Sequence, residues 1–192
     1  MGLMNSPPLP PSFVLGFNFV IDRISTMRLM AAIGAAIEKQ APSVTICISS
    51  PGGAPDQAFY AYEILRALPI EIITHNVGTV ASTAVTLFLA GSTRYAVENS
   101  VFLLHKTTHN PPPGTSYGVD QLEHSQESIA ADDERAMVIT GVQTGQPLKT
   151  VRRWFAGQKL RDSAFAKANG LISDIRPVAV PNNGQFFQIT LS

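Results

Sequence analysis

A serine and a histidine that could carry out nucleophilic catalysis each follow a separate apolar segment of the chain. Ser82 stands among small residues after a predicted strand, and His105 follows the apolar run at residues 101–104. A serine hydroxyl becomes a nucleophile when a histidine ring accepts its proton. In open α/β sheets ligands bind at the carboxyl ends of the strands, so the two side chains could meet there. Each also has a simpler interpretation, as a helix cap and as a packed residue.

A glycine-containing turn, SPGG at residues 50–53, follows another predicted strand. Glycine allows positive φ and leaves backbone N–H groups uncovered, so this turn could hold a developing oxyanion. By itself it also fits a tight turn between a strand and a helix. The sequence around Ser82 is not a G-x-S-x-G nucleophile elbow, because Val80 and Ala84 replace the glycines. The α/β-hydrolase interpretation is correspondingly weak.

The remaining histidines and the single cysteine do not predict a metal site. His75 precedes a predicted turn, His109 lies in a proline-rich loop and His124 lies on an acidic helix. No histidine pair has the H-E-x-x-H spacing of zinc ligands on one helix face. Cys47 alone can form neither an intrachain disulfide nor a thiolate zinc site. The sequence therefore predicts no metal or cofactor and a reducing, cytoplasmic compartment.

The elements that must position these residues alternate between strands and helices. Ser25 is the predicted cap of a first helix that Pro42 closes, and a turn at residues 77–81 is predicted to separate the third strand from the third helix. The alternation predicts parallel strands with right-handed crossovers, hence a layered α/β fold. Strands are expected at residues 13–21, 44–48, 70–74, 95–97 and 101–104, and further helices at residues 55–68, 82–90, 120–141, 147–155 and 163–169.

Composition indicates one globular domain that self-associates. The 192 residues are 45% apolar and carry 14 Lys+Arg against 14 Asp+Glu, which gives no electrostatic footprint for nucleic acid or an anionic membrane. Charged residues make up only 15%, below the ~25% that is usual, so part of the surface is expected to be covered by other copies. The helix at residues 120–141 has a thin apolar pattern and needs a partner.

Two uncharged segments, residues 1–21 and 72–93, are expected to be neither a signal peptide nor a membrane span. The first contains four prolines and lacks a basic start, so residues 1–12 are predicted to form an extended arm. The second is long enough to span a bilayer but carries several polar side chains that lipid would leave unsatisfied. A buried strand followed by a buried helix is the better prediction for it.

In this order, the SPGG turn, the segment from Gly78 to Ser82 and the pair Leu104-His105 resemble the Clp-type serine peptidase family. These are the proteolytic subunits of ATP-dependent caseinolytic proteases. Similarity extends over residues 21–175. The resemblance implies a crotonase-like fold, a layered β-α-β superhelix with a protruding handle helix. It further implies a single domain with a head (residues 13–108 and 145–175), a loop and handle helix (residues 109–144) and a C-terminal tail (residues 176–192).

The family resemblance implies a role for each matching residue. Ser82 matches the nucleophile, His105 matches the general base, and the backbone N–H groups of Gly53 and Thr83 match the oxyanion hole. Family members form heptameric rings, stacked in pairs, around a chamber that admits unfolded polypeptide or peptide substrates. The handle helix of one ring interleaves with the other ring.

Three departures from the family pattern bear on activity and partners. The third triad position, an aspartate in the family, falls on Gln158, with Asp162 as an alternative four residues later. Replacing the triad aspartate by its amide lowers kcat about 10⁴-fold in a serine protease. The loop at residues 107–118 is longer than in the family, and a proline-rich arm replaces the basic N-terminal segment. These two differences argue against docking to an ATP-driven unfoldase.

The leading hypothesis is a self-compartmentalised serine endopeptidase that uses Ser82 and His105. A catalytically silent, structural ring subunit of the same family is the first alternative, which Gln158 would permit. An acyl-CoA-processing relative of crotonase fold is the second, although it leaves the combination of Ser82 and His105 unexplained.

Overall fold

The computed structural model describes residues 12–108, 114–182 and 184–190. The predicted arm, except for Ser12, and His109 lie outside this part of the chain. Strands and helices alternate from β1 to α3, and shorter elements surround one long helix in the second half. The strands are β1 (Phe13–Phe17), β2 (Ser43–Ser50), β3 (Glu71–Ala81), β4 (Thr93–Ala96), β5 (Val101–Leu103), β6 (Leu160–Asp162), β7 (Asp174–Ile175) and β8 (Gln185–Gln188). The helices are α1 (Arg23–Glu38), α2 (Pro55–Ala67), α3 (Thr83–Phe88), α4 (Val119–Thr144), α5 (Leu148–Gly157) and α6 (Ser163–Ala168).

A single sheet joins the strands of the described residues in the order β6-β5-β3-β2-β1-β8, and β4 links β3 to β7. Every pair is parallel except β5 with β6. Helices α1 and α2 return the chain to the same end of the sheet, which is the connection that parallel neighbours require. The predicted layered α/β fold is confirmed.

The hydrophobic core lies between the central strands and the helices that cover them. In β2 the alternating residues Val44, Ile46 and Ile48 are fully buried, and Leu29 and Ile33 of α1 are almost completely buried. Full burial of one such side chain stabilises the fold by about 1.5–3 kcal/mol. β3, which leads to Ser82, pairs with β2, and β5, which leads to His105, pairs with β3, so both strands adjoin this core.

The predicted turn at residues 77–81 is wrong, because β3 continues without interruption to Ala81. Its first half pairs with β4 and its last three residues pair with β5. Asn76 joins the two halves, since its amide nitrogen donates to the carbonyl of Val101 at 2.9 Å and its amide oxygen accepts from the N–H of Gly78 at 3.0 Å. A Cβ on Gly78 would lie 2.8 Å from Ser49 Oγ. The small residues thus reflect close packing within the sheet.

The predicted cap of α1 also needs correction. Asp22 is the N-cap, and Ser25 occupies the third helical position. The Asp22 carboxylate accepts from the Ser25 N–H at 2.7 Å, and the Ser25 hydroxyl accepts from the Asp22 N–H at 3.0 Å. The two residues form a reciprocal capping box, in which a sequence pattern alone does not say which one is the cap. The bond from the Ser25 N–H lowers the pKa of Asp22.

The partly buried guanidinium of Arg94 ties the end of α4 to the segments just before β4 and just after α6. It donates to the carbonyls of Gly91, Gln143, Gly170 and Leu171, at 2.8 to 3.2 Å. The first half of α4 is largely exposed, and none of the described helices is long and apolar enough to cross a membrane. The C-terminal segment contributes β8, which extends the sheet beyond β1.

Candidate active site

Ser82 stands at the junction of β3 and α3 in an unusual backbone conformation. Its φ is 55° and its ψ is −131°, a region that residues with a Cβ rarely adopt. Its N–H donates to the carbonyl of Leu103 at 2.8 Å, which ties the junction to β5. Ser82 occupies the N-cap position of α3, but its hydroxyl makes no capping hydrogen bond. Strained conformations of this kind cluster at active sites.

His105 lies at the same edge of the sheet, because β5 is the parallel neighbour of β3. Ala81 pairs with Leu103, so His105 follows its strand two residues beyond the paired position. The His105 Nδ1 atom lies 2.7 Å from the carbonyl oxygen of Lys106. A carbonyl oxygen can only accept, so Nδ1 carries the proton in this bond. In the neutral ring Nε2 is then unprotonated and able to accept a proton.

The glycine turn packs directly against the serine junction. A Cβ on Gly52, whose φ is 95°, would lie 2.7 Å from Ser82 Cβ and 3.0 Å from the Thr83 nitrogen. The Ser50 hydroxyl fixes the turn, because it donates to the carbonyl of Phe19 at 2.6 Å and accepts from the Gly52 N–H at 3.2 Å. Only glycine at position 52 allows this close approach.

The Thr83 side chain bridges the serine junction and the glycine turn. Its Oγ1 accepts from the Gly53 N–H at 2.8 Å and donates to the Gly53 carbonyl at 3.3 Å. Gly53 is exposed and Thr83 is half-buried, so the bridge is accessible from outside. The sequence predicted a role only for the backbone N–H groups of these two residues and not for the hydroxyl. A threonine directly after the serine was the available signal.

Gln158 and Asp162 lie at different levels along the antiparallel ladder of β5 and β6. Leu160 pairs with Leu103 and Asp162 pairs with Val101. The ladder ends at Leu103 and Leu160, and His105 and Gln158 each lie two residues beyond that last pair. Asp162 caps α6, because its Oδ1 accepts from the Phe165 N–H at 2.7 Å. Gln158 is exposed and in the left-handed conformation, with φ at 45°.

The hydrogen bonds of a working triad are not made in this structure. Within the described residues, Ser82 and His105 are not hydrogen-bonded to each other, and neither Gln158 nor Asp162 bonds the His105 ring. The glycine turn, Ser82 and His105 lie at one edge of the sheet. Neither candidate for the third triad position, Gln158 or Asp162, is hydrogen-bonded to His105.

Asp133, which is not among the predicted site residues, fastens the histidine segment to α4. The buried carboxylate of Asp133 accepts from the backbone N–H of Thr107 at 2.7 Å, two residues after His105. Asp133 falls four residues from both Ile129 and Met137, on the apolar stripe of the helix. An acid at a core-facing position predicts a specific partner, and that signal was available in the sequence.

A cavity of about 460 Å³ adjoins the site between α4 and the segments that follow the turn and the histidine. Pro55, Thr107, Tyr117 and Asp132 contribute to its wall. Burial raises the pKa of Asp132. In the part of the chain that the structure describes, no cluster of His, Cys, Asp or Glu could hold a metal ion.

The two other described histidines stand apart from this edge. His75 is buried in β3, and its Nε2 donates to the carbonyl of Arg176 at 3.0 Å. Burial lowers the pKa of His75. His124 lies on the exposed half of α4.

A layered α/β sheet that brings a serine, a histidine and a glycine turn to one edge, with one long helix beside them, defines a crotonase-like domain of the Clp type. The chain belongs to the Clp protease family, whose model matches residues 19–178.

Proteins similar to this chain include ATP-dependent Clp protease proteolytic subunit 3 of Streptomyces avermitilis, which is 28% identical over 73% of this chain and 64% of the relative. Proteolytic subunit 1 of the same organism is 24% identical over 83% of this chain and 76% of the relative. Proteolytic subunit 1 of Mycobacterium bovis is 24% identical over 76% and 75%, respectively. The chain thus spans between about two thirds and three quarters of the length of these relatives.

Proposed function

We propose that the protein is a serine endopeptidase that acts through Ser82 and His105. The Ser82 hydroxyl attacks the carbonyl carbon of a peptide bond while His105 Nε2 takes its proton. The N–H groups of Gly53 and Thr83 stabilise the oxyanion of the tetrahedral intermediate. His105 then donates the proton to the leaving amine, and water hydrolyses the resulting acyl-enzyme by the same steps in reverse order.

The observation that carries this proposal is the strained backbone of Ser82 at the edge where β5 delivers His105. Packing alone gives no reason for a serine with φ at 55° that makes no capping bond. Hydrogen bonds between catalytic groups are often long or misaligned until substrate binds, so the missing Ser82–His105 bond is compatible with catalysis.

The backbone carbonyl of Lys106 supplies one of the two functions of a triad aspartate. Its bond to His105 Nδ1 selects the tautomer whose Nε2 can accept the serine proton. It brings no full negative charge to stabilise the imidazolium. The chain is therefore expected to be a slow peptidase, and the register of β6 favours Gln158 over Asp162 as the residue that faces the ring.

A catalytically silent ring subunit is the second candidate. One observation favours it: among the described residues, no carboxylate bonds the His105 ring. An acyl-CoA-processing activity has less support, because it gives no role to Ser82 and His105. It would predict a rise in the unfolding temperature on addition of an acyl-CoA.

We further propose that the chain assembles into a heptameric ring that can stack with a second ring, encloses the sites and admits unfolded polypeptides. The relatives are named as proteolytic subunits, and α4 carries exposed apolar side chains that an assembly would bury. The division into head, handle and tail and a cytoplasmic location belong to the same proposal. The single cysteine in the chain, Cys47, is free and buried, which suits a reducing compartment.

Labelling with a fluorophosphonate, which phosphonylates activated serines, tests the proposal. We expect the parent chain to be labelled in its oligomeric state and Ser82→Ala to abolish the label. Ser49→Ala, at a serine near the same edge, is the control and should keep it. An unlabelled parent chain would overturn the peptidase proposal and favour the silent subunit.

A further inference from the structure

The hydroxyl of Thr83 is hydrogen-bonded to one of the two proposed oxyanion donors. It lies 2.8 Å from the Gly53 nitrogen, and its own backbone N–H is the second proposed donor. The side chain is half-buried beside an exposed glycine, so a substrate carbonyl could reach it. A hydroxyl both accepts and donates hydrogen bonds, so the Thr83 hydroxyl can accept from the Gly53 N–H and still donate to another acceptor.

We propose that Thr83 is a catalytic residue whose hydroxyl donates directly to the oxyanion. This inference rests on the proposed peptidase function and deepens it. In the resting site the hydroxyl proton points to the Gly53 carbonyl. When the carbonyl oxygen of the substrate gains negative charge, the proton turns to it. This replaces the direct contact proposed above for the Gly53 N–H, which continues to donate to Thr83 Oγ1 and acts on the oxyanion through that hydroxyl.

The lengths of the two hydrogen bonds of the hydroxyl favour donation to the oxyanion over the alternative, in which the hydroxyl blocks access to the Gly53 N–H. As a donor to the oxyanion, Thr83 gives up only its long bond of 3.3 Å to the Gly53 carbonyl. If the oxyanion had to reach the Gly53 N–H directly, the shorter bond of 2.8 Å would break. Since hydrogen bonds weaken as they lengthen, rotation of the hydroxyl proton is the less costly change.

The arrangement also makes the hydroxyl a stronger donor. A hydroxyl that accepts one hydrogen bond is polarised and donates a second more strongly. Loss of one oxyanion donor typically lowers kcat by about 10²–10³-fold. The loss is expected to be smaller here, about tenfold or more, because removal of the hydroxyl frees the Gly53 N–H to bind the oxyanion in its place.

The test is the kinetics of fluorophosphonate labelling, resolved into the concentration for half-maximal rate and the maximal rate constant. Thr83→Val keeps the shape of the side chain and removes the hydroxyl. We expect its maximal rate constant to fall at least about tenfold with little change in half-saturation, because the donor acts on charge that develops during the reaction. Thr83→Ser, which retains the hydroxyl, should restore a rate close to that of the parent.

Each other outcome counts against the inference. Faster labelling of Thr83→Val would mean that the hydroxyl blocks the site, and unchanged labelling would mean that it has no role. If Thr83→Ser were as slow as Thr83→Val, the hydroxyl would not be the active group. Thermal unfolding of each variant checks the fold, and Thr83→Ala replaces Thr83→Val if valine destabilises the chain.

The parent chain and Ser82→Ala in the same assay separate failure of this inference from failure of the peptidase proposal. If the parent is labelled at Ser82 and Thr83→Val is labelled faster, only the role of Thr83 is contradicted. If the parent is not labelled, both the peptidase proposal and the role of Thr83 are contradicted.

Discussion

The backbone of Ser82 is held in its strained conformation by neighbours on both sides. Leu103 of β5 accepts its N–H, and Gly52 packs against its Cβ. A conformation of this kind costs on the order of 1–3 kcal/mol, so it persists only where surrounding contacts over-determine it. The turn and the strand together supply those contacts.

Gly52→Ala is predicted to damage this junction. The new Cβ would meet Ser82 Cβ and the carbonyl oxygen of Ala81, and φ at 95° is unfavourable for alanine. We expect a loss of about 1–3 kcal/mol in the free energy of unfolding, measured by urea titration, and loss of fluorophosphonate labelling.

Gly34→Ala is the matched control for that variant. Gly34 lies inside α1 with nothing within 4 Å of the added Cβ, so alanine should stabilise the helix by about 0.5–1 kcal/mol. Labelling should be unchanged. If Gly52→Ala were as stable and as reactive as the parent, the close packing of the turn would have no functional role.

A second residue-scale prediction concerns His75 and pH. Burial lowers its pKa below the usual 6.5, the positive charge of Arg176 adds to this, and the bond to the Arg176 carbonyl opposes it. Below pH 6.5 the unfolded chain binds a proton that the folded chain does not yet bind, so the free energy of unfolding falls as pH drops. The fall ends once pH is below the folded pKa.

His75→Gln should weaken that pH dependence, because an amide can still donate to the Arg176 carbonyl but does not titrate. Urea unfolding at pH 7.5 and at pH 5.5 measures the difference in stability for each protein. His124→Gln, at an exposed position, is the control. An equal loss of stability in the parent and in His75→Gln would contradict the prediction.

Between elements, the carboxylate of Asp133 fastens the segment after β5 to α4. Asp133→Ala is predicted to leave the Thr107 N–H without its partner, at a cost of about 1–3 kcal/mol. Because His105 is two residues away, labelling should also slow. Asp133→Asn, whose amide oxygen can still accept, should retain most of both properties. Labelling rates and thermal unfolding of the two variants decide whether the bond positions His105 or contributes to stability alone.

The alternation of strands and helices could be predicted because each early element has a clear apolar period. Residues 77–81 could not be predicted in this way. Their small side chains resemble a turn, and the strand there is stabilised by the Asn76 amide and by a change of partner from β4 to β5. β6 was missed because it has three residues and only one neighbour, so its pairing leaves little periodic signal.

The sequence was enough to predict which segments of the chain meet at the candidate site. The SPGG turn, Ser82 and His105 follow β2, β3 and β5, which are neighbours in the sheet, and parallel pairing brings their ends to one edge. The Lys106 carbonyl at His105 and the hydroxyl of Thr83 at Gly53 depend on local chain direction and rotamer. A sequence pattern does not encode either quantity.

For the whole molecule, α4 presents an apolar surface that the described chain does not cover. Val142 is 73% exposed, and Val119, Leu122 and Val138 are exposed as well. If α4 packs against another copy, Val142→Glu would bury a charge in an apolar contact and should dissociate the assembly. Sedimentation velocity measures the shift to smaller species.

Gln126→Glu adds the same charge at an exposed polar position of α4 and is the control. It should sediment like the parent. Identical sedimentation of Val142→Glu and the parent would exclude this part of α4 from the interface.

The pairing of β8 with β1 bears on how the chain emerges from the ribosome. β1 precedes every other described element in the chain, whereas its outer neighbour β8, which carries Gln188, follows all of them. Until then the nascent chain presents an unprotected strand edge, which is a template for pairing with other chains. Slow synthesis of the residues between β1 and β8 is thus expected to lower the yield of native protein, and a chaperone that shields β1 is expected to raise it.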